Sequence, residues 1–453
     1  MDNPLIVKDG GKISSGIGTA GLYLFALGAW LSAPLANVGM GLMCAALLVR
    51  MPVVFPFILR DRLFIVSSIF GVYLFCRTFF SIWELPGSRG DQIDGAWDLF
   101  RLGFITIVIV GYWLAGNGRR VYHVLLLALG GFLMRIAVKF EDVHLSAFLA
   151  GERAQVGMPS NAFGFYCAVG LLGLLLFAPS FWTFRGRFGP FAARILTWLT
   201  AITVMVQGLI FSQGRSVWLA CLIVFPPFLI TGVAGWVKGA GGRVGKRAVW
   251  FAILGIVFAS TITVVNRDII LQRVNTDRHS FRAIASGDLN DLPFSSIKVR
   301  VDAWRLGLEK WLERPLLGWG PGTSSRLLEE SNIDSVLRGS GKGEVMKNFH
   351  NSYLEILVGV GLAGALFFAV ALWLVCKSAW RSFCSGWLRR DVFLFTMGAL
   401  AIFLIASAAN LRTGDHFGRF YLALFGGIAY SYRLSRPTKI RADADPEEKE
   451  EAG

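Results

Sequence analysis

The sequence is short of charged residues. Only 17% of its 453 residues are Asp, Glu, Lys or Arg, whereas 54% are hydrophobic. A soluble domain has about 25% charged residues, so this chain has too few polar side chains to coat a water-soluble globule. The composition therefore predicts a polytopic membrane protein. For such a protein the net charge of +15 is informative about membrane orientation, and we expect no nucleic-acid partner.

The sequence also lacks several motifs of metal and nucleotide sites. It contains no P-loop, no HExxH and no CxxC motif. The six cysteines lie in apolar runs or short basic loops, and none falls in the polar segment 266–351. We therefore expect neither a disulfide framework nor a zinc site. Acidic residues are sparse on the predicted outer face outside the segment 266–351, so we also expect no metal and no other cofactor.

Long apolar runs recur along the chain, each about as long as a helix that crosses the hydrocarbon core. They lie near 15–32, 34–50, 63–83, 99–115, 121–139, 161–180, 195–211, 216–236, 248–265, 352–375, 391–409 and 417–434. The expected fold is an all-α polytopic integral membrane protein with about twelve transmembrane helices.

The basic residues favour one orientation of these spans. With the N-terminus in the cytoplasm, every loop assigned to the cytoplasmic side is basic, as the positive-inside rule requires. These loops hold Arg50, Arg60, Arg62, Arg119, Arg120, Arg185, Arg187, Arg194, Lys238, Arg243, Lys246, Arg247, Lys377, Arg381, Arg389 and Arg390. We therefore expect both termini to be cytoplasmic.

One connection, between spans nine and ten, is far longer than the others. The expected division is transmembrane helices 1–9 over 1–265, a periplasmic loop domain over 266–351, transmembrane helices 10–12 over 352–434 and a cytoplasmic tail over 435–453. Within the loop, SSIKVRVDAWRLGLEKWLERP predicts an amphipathic helix that lies on the membrane or caps the bundle. Its apolar stripe is expected to comprise Ile297, Val301, Trp304, Leu308, Trp311 and Leu312, with Arg300 on its flank.

A histidine precedes the tenth span, in KNFHNSYLEILVGVGLAGALFF. Ser352 and Glu355 have the spacing of a capping box, which predicts a helix that begins at Ser352. His350 then lies just outside the first turn, where the helix dipole disfavours the imidazolium form and suits a phosphate. A neutral imidazole there can accept a proton from a hydroxyl. The alternative is a polar boundary residue bonded to the loop.

Several cations lie at the predicted outer boundary, where the positive-inside rule does not call for them. Arg215 opens the eighth span, and its planar guanidinium suits a phosphate; the alternative is that it extends to the lipid headgroups. The other candidates for ligand binding are Arg153, Lys139, Arg412 and Arg419. A lipid-linked anionic ligand would account for the whole group, as would simple binding of anionic lipid.

Together these residues resemble a known family. The resemblance rests on His350 and Asn351 followed by Leu354, Gly361 and Gly364, on Arg300-x₃-Trp304, on RPLLGWGPG at 314–322, and on Arg215. In order and spacing they resemble the O-antigen ligase and polymerase superfamily of bacterial envelope glycosyltransferases. The resemblance covers about 200–425 and the number of spans.

The resemblance implies a reaction at the outer face of the inner membrane of a Gram-negative bacterium. A glycan on undecaprenyl pyrophosphate would be transferred to a hydroxyl, which for a ligase belongs to a sugar of the lipid A core. His350, Arg215 and Arg300 correspond by position to the residues that the family uses. Their chemistry suggests that the arginines hold the pyrophosphate while His350 acts on the acceptor hydroxyl. Membrane lipids are the remaining expected partners.

Other activities stay open at this stage. The His-Asn pair and the modest loop favour a ligase over an O-antigen polymerase or a protein O-oligosaccharyltransferase of the same superfamily. Outside the enzymes, the rival is a transporter of anionic lipids or solutes. A transporter is expected to have charges at mid-membrane and matching halves with broken helices, whereas in this sequence the candidate charges gather on one face and no matching halves are evident.

Overall fold

The chain folds into α-helices. The computed structural model describes residues 12–85, 88–102, 104–139, 153, 156–178, 191–239, 243–276, 278, 282, 283, 286, 292, 294–331, 333, 346–411 and 415–434. The helices in these ranges are α1 (Lys12–Leu31), α2 (Ala33–Val49), α3 (Met51–Ile58), α4 (Arg62–Glu84), α5 (Arg89–Leu102), α6 (Ile105–Leu114), α7 (Gly118–Val138), α8 (Ser160–Leu176), α9 (Phe191–Phe211), α10 (Arg215–Gly239), α11 (Arg243–Val265), α12 (Arg267–Thr276), α13 (Ser296–Glu313), α14 (Ser324–Glu329), α15 (Ser352–Cys384), α16 (Arg390–Ser407) and α17 (His416–Leu434). No β-strand occurs within the described ranges.

The lengths and hydropathy of these helices confirm the prediction of an all-α polytopic membrane protein. Within the described residues, seven helices are long and apolar enough to cross a membrane: α1, α4, α7, α9, α10, α15 and α16. Two bent pairs, α2 with α3 (97°) and α11 with α12 (59°), raise that number to nine. The count of twelve spans, their orientation and the division at 266–351 stay predictions.

The predicted span at 99–115 differs from the structure, which divides it between α5 and α6. α5 is polar, and its Gln92 is fully buried against α4. The Gln92 amide donates to Ser88 Oγ (2.7 Å), and its carbonyl oxygen accepts from Ser81 Oγ (2.7 Å). A buried amide needs such partners, so α5 packs as a polar helix beside α4. The apolar run then supplies only the ten residues of α6.

The core of the bundle is aromatic and centres on α17, which is buried along almost its whole length. Tyr421 packs against Phe425 and Phe165, with ring centroids 4.4 Å and 4.7 Å apart. Close approach to α6 requires glycine, because a Cβ at Gly426 or Gly427 would lie 2.5 Å from side chains of α6. Small residues of this kind let membrane helices approach closely.

Helix α15 is broken at Gly361, whose φ is 64° and ψ −171°. The segment that follows α13 supplies hydrogen-bond partners for the backbone groups of α15 on both sides of the break. Trp319 N–H donates to Val358 O (2.7 Å) and Gly320 N–H to Gly359 O (2.9 Å). In return, the N–H groups of Leu362 and Ala363 donate to the carbonyls of Pro315 (2.9 Å) and Leu316 (3.1 Å). Irregular backbone is tolerated in a membrane bundle only when its polar groups are satisfied in this way.

Two polar residues of α4 donate hydrogen bonds to further backbone carbonyls at the break and in the segment that faces it. Tyr73 donates its hydroxyl to Val360 O (2.6 Å). Arg77, only 5% exposed, donates from Nε to Leu317 O (3.0 Å) and from Nη2 to Gly318 O (2.7 Å). Arg77 also pairs with Glu84 at 3.1 Å. The break therefore separates the first two turns of α15 from the long remainder and fixes their direction.

Helix α13 forms where the amphipathic helix was predicted and caps the start of α15. Its buried residues are Val299, Ala303, Leu306 and Gly307, so the predicted stripe is wrong in part. Leu308 and Leu312 are 48% and 61% exposed, while Trp304 and Trp311 pack on the core as expected. The buried face is set by Phe349 and Leu354, because a Cβ at Gly307 would lie 2.6 Å from Leu354.

Candidate active site

His350 lies immediately before α15, as predicted, but the helix is capped differently. Asn351 is the N-cap, and its Oδ1 accepts from the N–H groups of Tyr353 (3.0 Å) and Leu354 (3.2 Å). Asparagine is among the best N-cap residues, because its short side chain reaches these unpaired donors. Ser352, the expected cap, instead donates its hydroxyl to Asn410 O (3.0 Å). The capping-box prediction is therefore wrong, although the helix does begin at Ser352.

Glu355 stabilises the segment before the cap. Its carboxylate accepts from the N–H of Phe349 (3.1 Å) and from the hydroxyl of Ser324 in α14. The Phe349 side chain is fully buried. Its carbonyl accepts from Trp304 Nε1 (2.9 Å). The residue before His350 is thus fixed at its N–H, its side chain and its carbonyl.

This attachment holds His350 in an unusual backbone conformation. Its φ is +49°, a left-handed value that residues other than glycine adopt infrequently. The His350 N–H donates to Asn348 Oδ1 (3.0 Å). Such conformations persist only where the surroundings impose them, and they are found often at functional sites.

Arg300 lies near His350 because α13 carries both Arg300 and Trp304, one helical turn apart. Burial, and to a smaller extent the positive charge of Arg300, lower the pKa of His350 to about 4. Imidazole is therefore neutral here at ordinary pH, as a base acting on a hydroxyl has to be. The Arg-x₃-Trp spacing has a structural explanation, since Trp304 fixes the His350 segment beside the arginine.

Arg215 approaches the same face of α13 from the bundle. It is the first residue of α10 and follows a tight turn in which Gln213 has φ +49°. Arg215 Nη2 donates to Ser296 Oγ (3.0 Å). Ser296 lies one turn before Arg300 on α13, and residues four apart share a helix face. The structure therefore brings Arg215, Arg300 and His350 to one region.

Arg153 joins this region through a chain of amides. Its Nη2 donates to Asn161 Oδ1 (3.0 Å), whose Nδ2 donates to Asn410 Oδ1 (2.8 Å). The pKa of Arg153 is lowered, mainly by burial and further by the charges of Arg273 and Arg215. Three arginines near one another repel in the absence of an anion, so this arrangement suits an anionic ligand.

Asn410 links the starts of three helices. It reaches Asn161 at the beginning of α8, its Nδ2 donates to Ser216 Oγ of α10 (2.7 Å), and its carbonyl accepts from Ser352 of α15. Helix N-termini carry partial positive charge and unpaired N–H groups. Three of them, with the arginines, produce a positive potential suited to a phosphate or pyrophosphate.

The remaining predicted residues are placed differently. Arg419 pairs with Asp98 of α5, so its charge has a local partner. Lys139 ends α7 beside Gly157, where a Cβ would lie 3.2 Å from the lysine Cγ. Arg412 lies outside the described residues. Their predicted part in substrate binding stays a prediction, and Asn351 serves first as a helix cap.

Sequence reasoning missed several polar residues that build the site. Ser296, Asn161 and Asn410 make the hydrogen bonds that join its elements, and Arg273 adds a fourth guanidinium. The sequence signal was a polar residue at the end of an apolar helix. Ordinary residues at a membrane boundary show the same signal, so it does not distinguish a site residue from them. Within the described residues, no group of three or more His, Cys, Asp or Glu side chains could hold a metal ion.

The fold and this region define a polytopic membrane protein in which a neutral imidazole lies beside a group of arginines. Residues 200–369 match the family model Wzy_C, described as O-antigen ligase. The match contains Arg215, Arg300 and His350, and it confirms the predicted resemblance. Members of this family are glycosyltransferase-like enzymes, ligases or polymerases, that act on lipid-linked polysaccharide. No curated protein matches the chain.

Proposed function

We propose that the protein is an O-antigen ligase in lipopolysaccharide biosynthesis. It would transfer O-antigen polysaccharide from undecaprenyl pyrophosphate to a sugar hydroxyl of the lipid A core, at the periplasmic face of a Gram-negative inner membrane. The observation that carries the proposal is the neutral imidazole of His350 beside Arg300, one helical turn from the Ser296 that binds Arg215. The match of residues 200–369 to the O-antigen ligase family model supports the substrate class.

The arginines bind the donor in this scheme. Arg215 and Arg300 hold the pyrophosphate, with Arg153 behind Arg215. As the bond between the sugar and the pyrophosphate breaks, its electron pair leaves with the phosphate oxygen, and the guanidiniums stabilise the developing charge. Three helix N-termini contribute to the same potential.

His350 acts on the acceptor. The neutral imidazole accepts the proton of the lipid A-core hydroxyl as its oxygen attacks the anomeric carbon from the side opposite the leaving group. The configuration at that carbon inverts in one displacement. The proton then passes from the imidazolium to solvent. The pyrophosphate linkage is already activated, so the scheme requires neither ATP nor a metal.

Reconstitution tests the proposal. The protein in liposomes would receive glycan-pyrophosphate-undecaprenol and lipid A core, with a chelator and without nucleotide, and the glycan-modified lipid A core would be measured on gels. We expect transfer that falls by about 10²–10⁴-fold in His350→Ala. His123→Ala, at an exposed histidine of α7 bonded to Tyr23, is the control and should retain activity.

The outcome separates the alternatives. Normal turnover by His350→Ala removes the proposed base. Product formed only on a second lipid-linked glycan indicates a polymerase, and product formed only on a protein hydroxyl indicates an oligosaccharyltransferase. Movement of the lipid across the bilayer without a covalent product indicates a transporter.

A further inference from the structure

A second group of cations lies at the opposite end of α15. A cleft there, the basic cleft, is lined by Arg62 of α4, Lys377, Ser378 and Arg381 of α15, and Tyr430 and Arg433 of α17. Lys377 follows Leu362, the first residue after the break, by 15 residues, which is roughly 22 Å along a helix. The basic cleft is therefore separate from the candidate active site.

Positive charge dominates the basic cleft. Four of its lining residues are cations, and among the described lining residues none is acidic. Asp61 beside it is fully buried and already occupied: it caps α4 at Leu63 N (3.0 Å) and accepts from the Tyr430 hydroxyl (2.8 Å). Arg433 lies 3.6 Å from that carboxylate. The described lining of the basic cleft is therefore made of basic, polar and apolar side chains, a composition that suits an anion.

Ser378 is a second, independent sign of a ligand. It is only 5% exposed, it lines the basic cleft, and its Oγ has no hydrogen-bond partner. Helical serines usually donate to the carbonyl four residues earlier, as Ser382 does to Ser378 O (2.8 Å) and Ser67 to Leu63 O (2.7 Å). A buried hydroxyl with no partner is unfavourable. An acceptor oxygen brought by a ligand would satisfy it.

The surrounding side chains place the basic cleft at a membrane boundary. Trp373 and Trp380 of α15 are 54% and 57% exposed, and exposed tryptophans are enriched at the headgroup level. The Lys377 ammonium lies 4.4 Å from the Trp373 ring centroid. In the predicted orientation this boundary faces the cytoplasmic leaflet, whose anionic lipids attract basic residues.

We propose that the basic cleft binds the phosphate of an anionic phospholipid headgroup. Lys377, Arg381 and Arg433 contact the phosphate, and the Ser378 hydroxyl donates a hydrogen bond to one of its oxygens. Arginine suits this ligand because its planar donors match phosphate oxygens. The site is independent of the proposed transferase reaction.

Lipid titration followed by native mass spectrometry tests the assignment. Full-length protein in a neutral detergent would be titrated with phosphatidylglycerol, with phosphatidylcholine as the headgroup control. Inorganic phosphate would be added separately as a competitor. The variants are Ser378→Ala and the pair Lys377→Gln with Arg381→Gln. Arg119→Gln is the matched control, since Arg119 is an exposed cation at the start of α7.

We expect phosphatidylglycerol to bind at least about tenfold more tightly than phosphatidylcholine, and the double variant to lose that preference. Ser378→Ala should weaken binding at least about tenfold, because one hydrogen bond to a charged group is lost. It removes only an unpaired hydroxyl, so it remains informative if the double variant does not fold. Arg119→Gln should bind as the wild type does.

Three outcomes would overturn the proposal. The first is equal affinity for the two lipids. The second is an unchanged affinity in Ser378→Ala together with a loss in Arg119→Gln, since binding would then follow general surface charge. The third is displacement of the lipid by inorganic phosphate at an affinity equal to the lipid's own, which would assign the site to free phosphate.

Discussion

Helix α15 begins and ends differently. Its first turns follow a left-handed His350, are broken from the rest at Gly361, and form hydrogen bonds with groups of α4, α14 and α16. Its last turns are regular, and Lys377 and Arg381 lie one turn apart on one face. Lys377 and Arg381 at the far end are brought together by helical spacing within α15, whereas Arg215, Arg300 and His350 at the near end all come from different segments. The near end is accordingly where we expect substitutions to affect chemistry.

Neutralising one cation at each end gives the largest contrast. Arg215→Gln removes a guanidinium proposed to stabilise the leaving pyrophosphate, and we expect the rate of glycan transfer to fall about 10²–10³-fold. Lys377→Gln should change it less than about twofold, because it lies outside the region that develops charge. Single-turnover transfer in liposomes measures both. Equal losses would mean that the two ends do not differ in function.

The pH dependence of glycan transfer tests the protonation state of His350 at the near end of α15. His350 has to be neutral to accept a proton, and its pKa is lowered to about 4. The rate should therefore be level from about pH 8 downward and fall only as pH approaches about 4. Arg300→Gln removes one cause of the shift, so the acid limb should move upward, yet stay below about 6.5 because burial remains.

Arg305→Gln, at an exposed residue of the same helix, is the control and should leave the acid limb in place. A limb near pH 6.5 in the wild type would contradict the neutral, buried imidazole.

Alanine substitutions at two glycines with positive φ compare the packing at the break in α15 with the packing at its far end. Gly361→Ala places a Cβ 2.2 Å from Leu316 O, whereas Gly386→Ala, just after α15, meets nothing within 4 Å. Alanine at the positive φ of Gly386 costs about 1–2 kcal/mol. Gly361 has a φ/ψ combination that is essentially confined to glycine, and this strain together with the clash should raise the loss there to about 3–5 kcal/mol. Thermal unfolding in detergent compares the two proteins. Similar midpoints would show that the break is not tightly packed.

Trp304→Phe is expected to have the smallest effect. It keeps an aromatic ring but removes the 2.9 Å hydrogen bond to Phe349 O. We expect kcat to fall about fivefold with KM unchanged, since one hydrogen bond that positions His350 is lost. Trp380→Phe, at the exposed far end, should change neither constant. A change confined to KM would argue that Trp304 acts on substrate binding instead.

The sequence predicted the parts of the fold that depend on local pattern. Apolar runs located the helices, because twenty such residues have few other structures in a membrane. The amphipathic stripe of α13 was only partly right, since Leu308 and Leu312 continue an apolar pattern on a second side. Which side is buried depends on Phe349 and Leu354, and helical periodicity carries no information about them.

The candidate site was located through the resemblance rather than through spacing. Arg215 and His350 were each compatible with an ordinary boundary residue. Their proximity depends on Ser296 and Asn410, and Asn410 bonds to Ser216 across 194 positions of the chain. Contacts of that range cannot be read from one sequence. Glycine at 361 was noted as part of the family pattern, but its physical role requires the loop that replaces the missing helical hydrogen bonds.

The buried Arg77 has a consequence for biogenesis. An arginine at the centre of a membrane helix costs about 2.5–3.5 kcal/mol on insertion, and two of its acceptors here, the carbonyls of Leu317 and Gly318, lie 240 and 241 residues later. At about 5–20 residues per second, translation needs roughly 12–50 s to reach them. Until then α4 enters the bilayer with Glu84 as the early partner. A nascent chain released before this point leaves α4 in lipid with an arginine that lacks these two carbonyl acceptors.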